Sequence, residues 1–482
     1  MHRKCLFLLT ILLTLAGCSS TTEYQRPAAE LPAAYRDAPM DGVKIPADRW
    51  WSLYSDAALD KLVDEALAYN QDLALATARV DEARALARSV DAQRAPAFSA
   101  AAGRERTRSS AVAGIPMPPG TPLERNDYNV QLNVAYEVDL WGRLSSASSA
   151  ARADLLATEA ARGIVRIALA SEVVRGYYSL VALDAQLAAT RRALALRNDS
   201  LNLQKVRAKA GLINDFTLRQ LEAEVASAQA QLPAHETSRT TQELALAVLL
   251  GRSPRAITKG KVERASVQGA PLAPVVPEGL PSELLLRRPD VAQAEQRLIA
   301  ANARINAARA SLFPRISLTG AFGSESATLG DLFTAPARIW TLAFALAQPI
   351  FQAGRLQSEV EATQARERQA LAQYQKTLQE AFREVRQALN AQMRAREAYD
   401  AEGARGIALT EASKLARIRY ENGLLSQIEV LDAERNLLQA ELNRSEALRL
   451  QRAAVADLVK ALGGGWSAHP SGDTKPPDVP VR

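Results

Sequence analysis

Cysteine and histidine are almost missing from this chain of 482 residues: Cys5 and Cys18 are its cysteines, and His2, His235 and His469 its histidines. So few thiols exclude an internal disulfide framework and a Cys-rich zinc site. Isolated histidines speak against a histidine-based metal centre or a Ser/His/Asp triad. Aromatic residues are scarce at 5%, although 48% of the chain is apolar. Much of that apolar share is alanine, which points to close-packed helices rather than a large aromatic core. No run of about 18 apolar residues occurs, so no transmembrane helix is expected. Neither sign of charge dominates: 59 Lys+Arg against 53 Asp+Glu gives +6. Without Arg3 and Lys4, which lie in a segment expected to be removed, the balance is 57 − 53 = +4. No basic block with interleaved aromatics appears, so nucleic acid is not an expected partner. Charged residues at 23% argue against a disordered chain. No active site and no cofactor are expected, and a conduit, scaffold or binding protein fits better than an enzyme.

The N-terminus reads as an export signal over residues 1–17. Met1 to Lys4 is positive, and Cys5 to Ala16 is apolar apart from two threonines, too short to span a bilayer comfortably. Leu15-Ala16-Gly17-Cys18 resembles the lipobox of bacterial lipoproteins, which implies acylation of Cys18 as the new first residue. An ordinary signal ending beside a chance cysteine is the alternative. Ser19 follows where an aspartate would resemble an inner-membrane retention signal, so the resemblance implies an outer-membrane destination.

The rest of the chain is one unit written twice. Gly142-Arg143-Leu144 recurs as Gly354-Arg355-Leu356, Gly211-Leu212 as Gly423-Leu424, and Leu250-Gly251 as Leu462-Gly463, each pair at one offset (354 − 142 = 212). Asp72 to Pro96 and Asp290 to Pro314 also share a spacing. A constant offset over such a length marks an internal duplication. Each copy has the order helix, strand, loop, strand, long helix, glycine turn, helix. The first copy is placed at 67–251 and the second at 284–463, with a linker at 252–283 and a tail at 464–482.

Tyr128, Val130, Leu132, Val134, Tyr136, Val138 and Leu140 alternate with Asn129, Gln131, Asn133, Ala135, Glu137 and Asp139. A period of two puts every apolar side chain on one face, over a length suited to a tilted bilayer crossing. The four strands are expected at about 96–106, 128–141, 314–324 and 339–352, with Phe98 the only large apolar residue of the first. Gly-, Pro- and Ser-rich loops are expected at Thr107 to Asp127 and Ser324 to Ala337. The edge of a soluble sandwich would show the same alternation. From Arg143 to Ala210 there is no proline; as one helix this stretch would run roughly 100 Å at ~1.5 Å per residue. Leu356 to Tyr420 repeats it. Gly211 and Gly423 break these helices, and a returning helix follows each: Leu218, Leu221, Val225 and Leu232 give a face on the first, Ile428, Leu431, Leu438 and Leu442 on the second. These are two long helical hairpins.

Open strand edges cannot face lipid, and four strands cannot close a barrel. Two copies would give eight strands, a barrel filled by its own side chains; an open pore needs at least three.

Here the sequence resembles the TolC-like outer-membrane factors, in the lipoprotein branch that serves tripartite efflux pumps. The segments that carry the resemblance are Tyr24-Gln25-Arg26-Pro27, Trp50-Trp51 with Leu59 to Leu73, Leu280 to Glu295 (LPSELLLRRPDVAQAE), Phe313 to Gly320 (FPRISLTG) and Gln348 to Arg355 (QPIFQAGR). The resemblance implies a mainly α fold with a membrane β-barrel portion, a homotrimer with a 12-stranded barrel, an α-helical periplasmic tunnel, and an equatorial belt built from residues 18–66, the linker and the tail. It implies outer-membrane lipid, a periplasmic adaptor protein and an inner-membrane proton-driven pump as partners. The exit duct of a type I protein-secretion system, with the same fold, is the alternative.

The second hairpin tip, Tyr420 to Ala433 (YENGLLSQIEVLDA), resembles the family's periplasmic gate, where two acidic residues three apart face the lumen. Here these are Glu429 and Asp432; in a trimer they would form two rings of negative charge that favour cations. Tyr420 matches a position that helps latch the closed state. Leu425 departs, because several relatives carry a latching arginine there. Gly211, Leu212, Gly423 and Leu424 are expected to form the tips that dock the adaptor. The alternative is that the glycines merely turn the chain and the acids are ordinary solvated charge.

Overall fold

The computed structural model describes residues 24–28, 32, 49–112, 120, 122–259, 261–264 and 282–464. Cys18, the export signal and the tail after Gly464 lie outside the described residues. In chain order the helices are α1 (Ala57–Tyr69), α2 (Gln71–Ala92), α3 (Arg143–Lys209), α4 (Asp215–Leu249), α5 (Pro254–Lys259), α6 (Pro289–Ala310), α7 (Arg355–Glu421) and α8 (Gln427–Ala461). The strands are β1 (Ala97–Arg108), β2 (Glu124–Val138), β3 (Arg315–Ser326) and β4 (Arg338–Ala347). The duplication is almost to the residue: α2 and α6 have 22 residues each, α3 and α7 have 67, and α4 and α8 have 35.

Each of two compact units draws on both copies. One is built on Met1–Ala28, Arg79–Glu159 and Gln293–Gln375, the other on Ala29–Ala78, Ala160–Ala292 and Lys376–Arg482.

The first unit holds the sheet, which is antiparallel throughout in the order β1-β2-β3-β4. Its register aligns the apolar residues of all four strands. Leu132 pairs with Phe322, which pairs with Trp340; Tyr136 pairs with Leu318, which pairs with Phe344; Phe98 pairs with Val134. The opposite face carries Ser99, Gln131, Asn133, Ser317, Thr319, Thr341 and several alanines. Three expected boundaries are corrected. β2 begins at Glu124 rather than Tyr128, because Glu124 pairs with Arg106 and Arg108 across the strands and extends the ladder past the apolar stretch. It ends at Val138, so Leu140 is not a strand residue. β4 stops at Ala347, two residues short of Pro349, which has no N–H for the ladder.

At the helix end of this sheet, Trp141 stacks on Phe313 at 4.8 Å, and its indole N–H donates to the Pro314 carbonyl at 2.8 Å. Gly142 turns the chain at φ +75°. Asp139 then accepts from the Leu144 and Ser145 amides at 3.0 and 2.7 Å, covering two of the orphan donors that open α3. Arg26, from the short Tyr24-Gln25-Arg26-Pro27 motif, grips Glu295 with two hydrogen bonds of 2.6 and 2.8 Å.

The second unit is a helical core anchored by aromatics. Trp50, Trp51 and Tyr54 are buried. The Tyr54 hydroxyl donates to the Arg452 carbonyl at 2.6 Å, and the Tyr177 hydroxyl donates to Asp56 at 2.6 Å. Asp56 also caps α1 through the Ala58 and Leu59 amides. Within the LLLRRPDV segment, Arg288 is buried yet fully engaged, with Asp290 and Glu384 both at 2.7 Å and the Ala461 carbonyl at 2.5 Å. On α8 the buried positions include Val430, Leu431 and Leu438, whereas Ile428 is exposed; the expected apolar face is shifted, and Val430 takes the place given to Ile428.

The repeated glycines all have positive φ, but they differ in surroundings. At Gly251 (φ +70°) an added Cβ would lie 2.0 Å from the Tyr69 carbonyl oxygen; at Gly463 (φ +82°) it would lie 2.9 Å from the Arg288 Cα. At Gly211 and Gly423 (both φ +74°) nothing lies within 4 Å. Gly251→Ala is therefore expected to cost about 2–5 kcal/mol, the left-handed strain plus a forced backbone shift, and Gly423→Ala only about 1 kcal/mol. Thermal unfolding of the purified variants checks the order; equal shifts at the two sites contradict it.

Candidate functional site

Two surfaces are laid out for a task other than holding the fold together. The first is the sheet face. Phe98, Phe322, Trp340, Leu342 and Phe344 are each at least 63% exposed, and no described element covers them. A contiguous apolar face of this kind marks contact with lipid or protein. Its outer strands β1 and β4 each have a strand partner on one side only, so two ladders of N–H and C=O groups stand open. Among the described residues no helix is long and apolar enough to cross a membrane, and no cluster of His, Cys, Asp or Glu could hold a metal.

The second surface is the pair of hairpin tips, which are built alike. α3 ends with the Gly211 amide donating to Ala208 and the Leu212 amide to Arg207, both at 2.9 Å. α7 ends with the Gly423 amide donating to Tyr420 at 2.9 Å and the Leu424 amide to Arg419 at 2.8 Å. Glycine at positive φ is what this helix ending requires. Beyond each turn a side-chain cap starts the returning helix: Asn214 accepts from the Thr217 amide at 2.9 Å, and Ser426 caps α8. Leu212 and Leu424 project from the turns, 72% and 68% exposed. Val206 and Phe216 are also exposed at the first tip; the sequence reading passed over both, because neither lies in a repeated motif.

The structure brings Tyr420 into a network that the sequence did not reveal. Its hydroxyl accepts from Gln204 Nε2 at 2.6 Å and from Arg207 Nη1 at 2.9 Å, and the Arg207 guanidinium lies 5.9 Å from its ring centroid. Gln204 also donates to Gln427 at 3.2 Å, and Gln427 to Ser200 at 3.3 Å. The second hairpin is thus tied to α3 of the first by side chains from three helices. Beneath lies a small apolar cluster of Leu201, Leu221, Val225 and Leu431. Leu425 is half-buried.

Glu429 and Asp432 are both exposed, three apart on α8 and so on one side of it. Neither carboxylate is without a partner. Glu429 accepts from the Ser426 amide at 2.9 Å and the Ser426 hydroxyl at 2.8 Å, a capping box. Those two bonds, the amide first, lower its pKa below the ordinary glutamate value. Asp432 pairs with Arg435 at 3.4 Å. Arg435 in turn pairs with Glu224, beside which buried Arg197 lies at 3.6 Å. Arg417 and Glu434, 2.6 Å apart, tie α7 to α8.

A family model described as outer membrane efflux protein matches residues 62–252 and 280–464. The chain is 37% identical over 462 residues to outer membrane protein OprJ of Pseudomonas aeruginosa, covering 95% of both chains. It is 36% identical to the toluene efflux pump outer membrane protein TtgI of Pseudomonas putida, over 95% of this chain and 97% of that one. Among solved structures, the CmeC outer membrane channel of Campylobacter jejuni superposes with a TM-score of 0.88 at 26% identity, over 93% of this chain and 96% of the other.

Proposed function

The chain belongs to the outer membrane efflux protein family, and from that premise we propose that three copies close into one conduit through which small molecules leave the periplasm. The single observation that carries this reading is the four-stranded sheet with two open edges and one exposed apolar face. With an even number of antiparallel strands, β4 of one copy meets β1 of the next in antiparallel order, so the ring closes without a mismatch. Three copies supply twelve strands, more than the roughly eight that side chains alone fill. Closure hides every edge, turns the Phe322–Trp340 face to lipid, and gives the serines, threonines, asparagine and glutamine to the lumen. The long hairpins form the periplasmic tunnel, and the segments flanking the two copies form its belt.

The mechanism of this reading is passive. An inner-membrane proton-driven pump supplies the energy, and a periplasmic adaptor docks on the tips at Gly211, Leu212, Gly423 and Leu424. Docking loosens the second hairpins at Tyr420 and Leu425 and opens the constriction lined by Glu429 and Asp432. The toluene efflux component among the relatives supports small-molecule cargo over a protein-secretion duct.

Recording the purified protein in planar bilayers tests the conduit. Cation-selective conductance is expected, and Glu429→Ala with Asp432→Ala should reduce the preference for cations. Because Arg435 already offsets part of the Asp432 charge, the Glu429 substitution should account for the larger share. Conductance without ion preference, or selectivity unchanged by the double variant, contradicts the gate assignment; absence of channels contradicts the conduit.

We also propose that Cys18 carries the lipid, as the lipobox resemblance implies. Cys18→Ser should abolish palmitate labelling in cells, and persistent labelling contradicts the assignment.

A further inference from the structure

The apolar face of the sheet ends abruptly at the loop end. On β1, Phe98, Ala100 and Ala102 give way on the same face to Arg104, Arg106 and Arg108. Their partner positions on β2 are Tyr128, Asn126 and Glu124. Arg338 opens β4 at this end and on this face, opposite Ser324. All four arginines are exposed. Against them the strands place one carboxylate here, Glu124, shared between Arg106 at 2.6 Å and Arg108 at 3.5 Å. The Arg104 guanidinium lies 5.5 Å from the centroid of the Tyr128 ring. The balance on this face is 4 − 1 = +3.

The sign reverses on the other face at the same end. There the strands place Glu105, Asp127 and Glu325 against Arg125, a balance of 1 − 3 = −2. At the helix end of the sheet the apolar face carries Phe98, Val138, Ile316 and Leu346 and no charge. A net positive balance among the strand residues is thus confined to one rim of one face, the rim just beyond the apolar band.

We propose that Arg104, Arg106 and Arg108, with Arg338 contributing charge at the same rim, bind the phosphate groups of lipid A in the outer leaflet. The inference rests on the reading that the sheet spans the outer membrane with its loops outside. Acyl chains that pack on Val130, Leu132 and Trp340 then bring their headgroups to this rim. Guanidinium groups take phosphate oxygens in pairs, through two parallel N–H bonds. Alternate residues on a strand stand about 7 Å apart, so the three β1 arginines make a ladder roughly 14 Å long. A ladder of that length suits a headgroup with two phosphates, which lipid A has and phosphatidylglycerol lacks. Basic clusters at a bilayer rim attract anionic headgroups, and Glu124 leaves most of this one unneutralised. The inward acids keep such anions out of the lumen.

The full chain is to be purified from outer membranes in mild detergent, as wild type and as R104Q/R106Q/R108Q. Co-purifying lipid A is measured by mass spectrometry, and added lipid A and phosphatidylglycerol are compared in nanodiscs. The expected result is an intact heat-modifiable trimer that has lost about tenfold or more of its lipid A, with weak phosphatidylglycerol binding throughout. A second variant, Glu124→Gln, removes the competing carboxylate and should raise lipid A retention; it tests the site even if the triple variant fails to assemble. Unchanged retention in both variants, or phosphatidylglycerol binding as strong as that of lipid A, overturns the proposal. If the wild type yields no trimer in outer-membrane fractions, the membrane reading falls, and this inference with it. If the trimer is present and retention does not respond, only the lipid A site falls.

Discussion

Leu342→Arg should abolish the trimer in outer-membrane fractions, while Ala343→Arg, one residue on, should leave it assembled. Leu342 is 77% exposed and pairs with Gly320, which pairs with Val134, near the middle of the apolar band. An arginine facing lipid at mid-depth costs about 2–4 kcal/mol. Three copies multiply that to roughly 6–12 kcal/mol per assembly, comparable to the whole stability of an ordinary domain. Ala343 pairs with Thr319 on the opposite face, where an arginine meets water and alters conductance instead. Heat-modifiable mobility of membrane extracts on gels reads the first outcome, and bilayer recording reads the second. The alternation is what gives the test its force. A buried soluble sheet would tolerate neither arginine, and a sheet wet on both faces would tolerate both.

Much of this architecture is legible in the sequence, because its signals are local. The offset of 212 residues anticipated helices of equal length in the two copies, and each repeated glycine proved to be a turn at positive φ. The alternation in β2 marks its apolar face. β1 was faint, because its apolar face is mostly alanine; only the register, which sets Phe98 against Val134 and Ala100 against Leu132, shows that it continues the same surface. The start of β2 is not legible from hydrophobicity, because cross-strand ion pairs from Glu124 to Arg106 and Arg108 hold the ladder there. The tip shows a different limit. The sequence Ser426-Gln427-Ile428-Glu429 is also a capping-box signature, a second role for the residue expected at the gate. The structure gives its carboxylate a cap to hold as well. Since its pKa is lowered in the folded protein, the cap's contribution is full above the ordinary glutamate range and fades as pH falls through the depressed value. Gln204, Arg207 and Gln427 could not be picked out at all: their role exists only through partners more than 200 positions away.

That network sets the second large expectation, that Tyr420→Phe should open the tunnel constriction without unfolding it. The phenyl ring keeps the shape and the stacking of Arg207, and removes one oxygen. Two donors lose their acceptor. Gln204 is buried, and its Oε1 already lacks a partner, so its remaining bond is the 3.2 Å contact to Gln427. The exposed Arg207 can turn to water, which makes its loss the smaller one. A net of about 1–1.5 kcal/mol per copy is then removed from the tie between hairpins. If the three second hairpins move together, the sum is roughly 3–4.5 kcal/mol, a shift of about 10²–10³ in the ratio of open to closed channels. Longer open dwell times in planar bilayers, with a melting temperature close to that of the wild type, are the expected signature. Gln204→Leu should act in the same direction, since it removes the donor from the other side. The double variant should add little to either single change, because both break the same bond. Full additivity, or dwell times unmoved by either substitution, means that Tyr420 braces the hairpin rather than latching it, and the hold on the closed state must then be sought in the Arg197–Glu224–Arg435 chain.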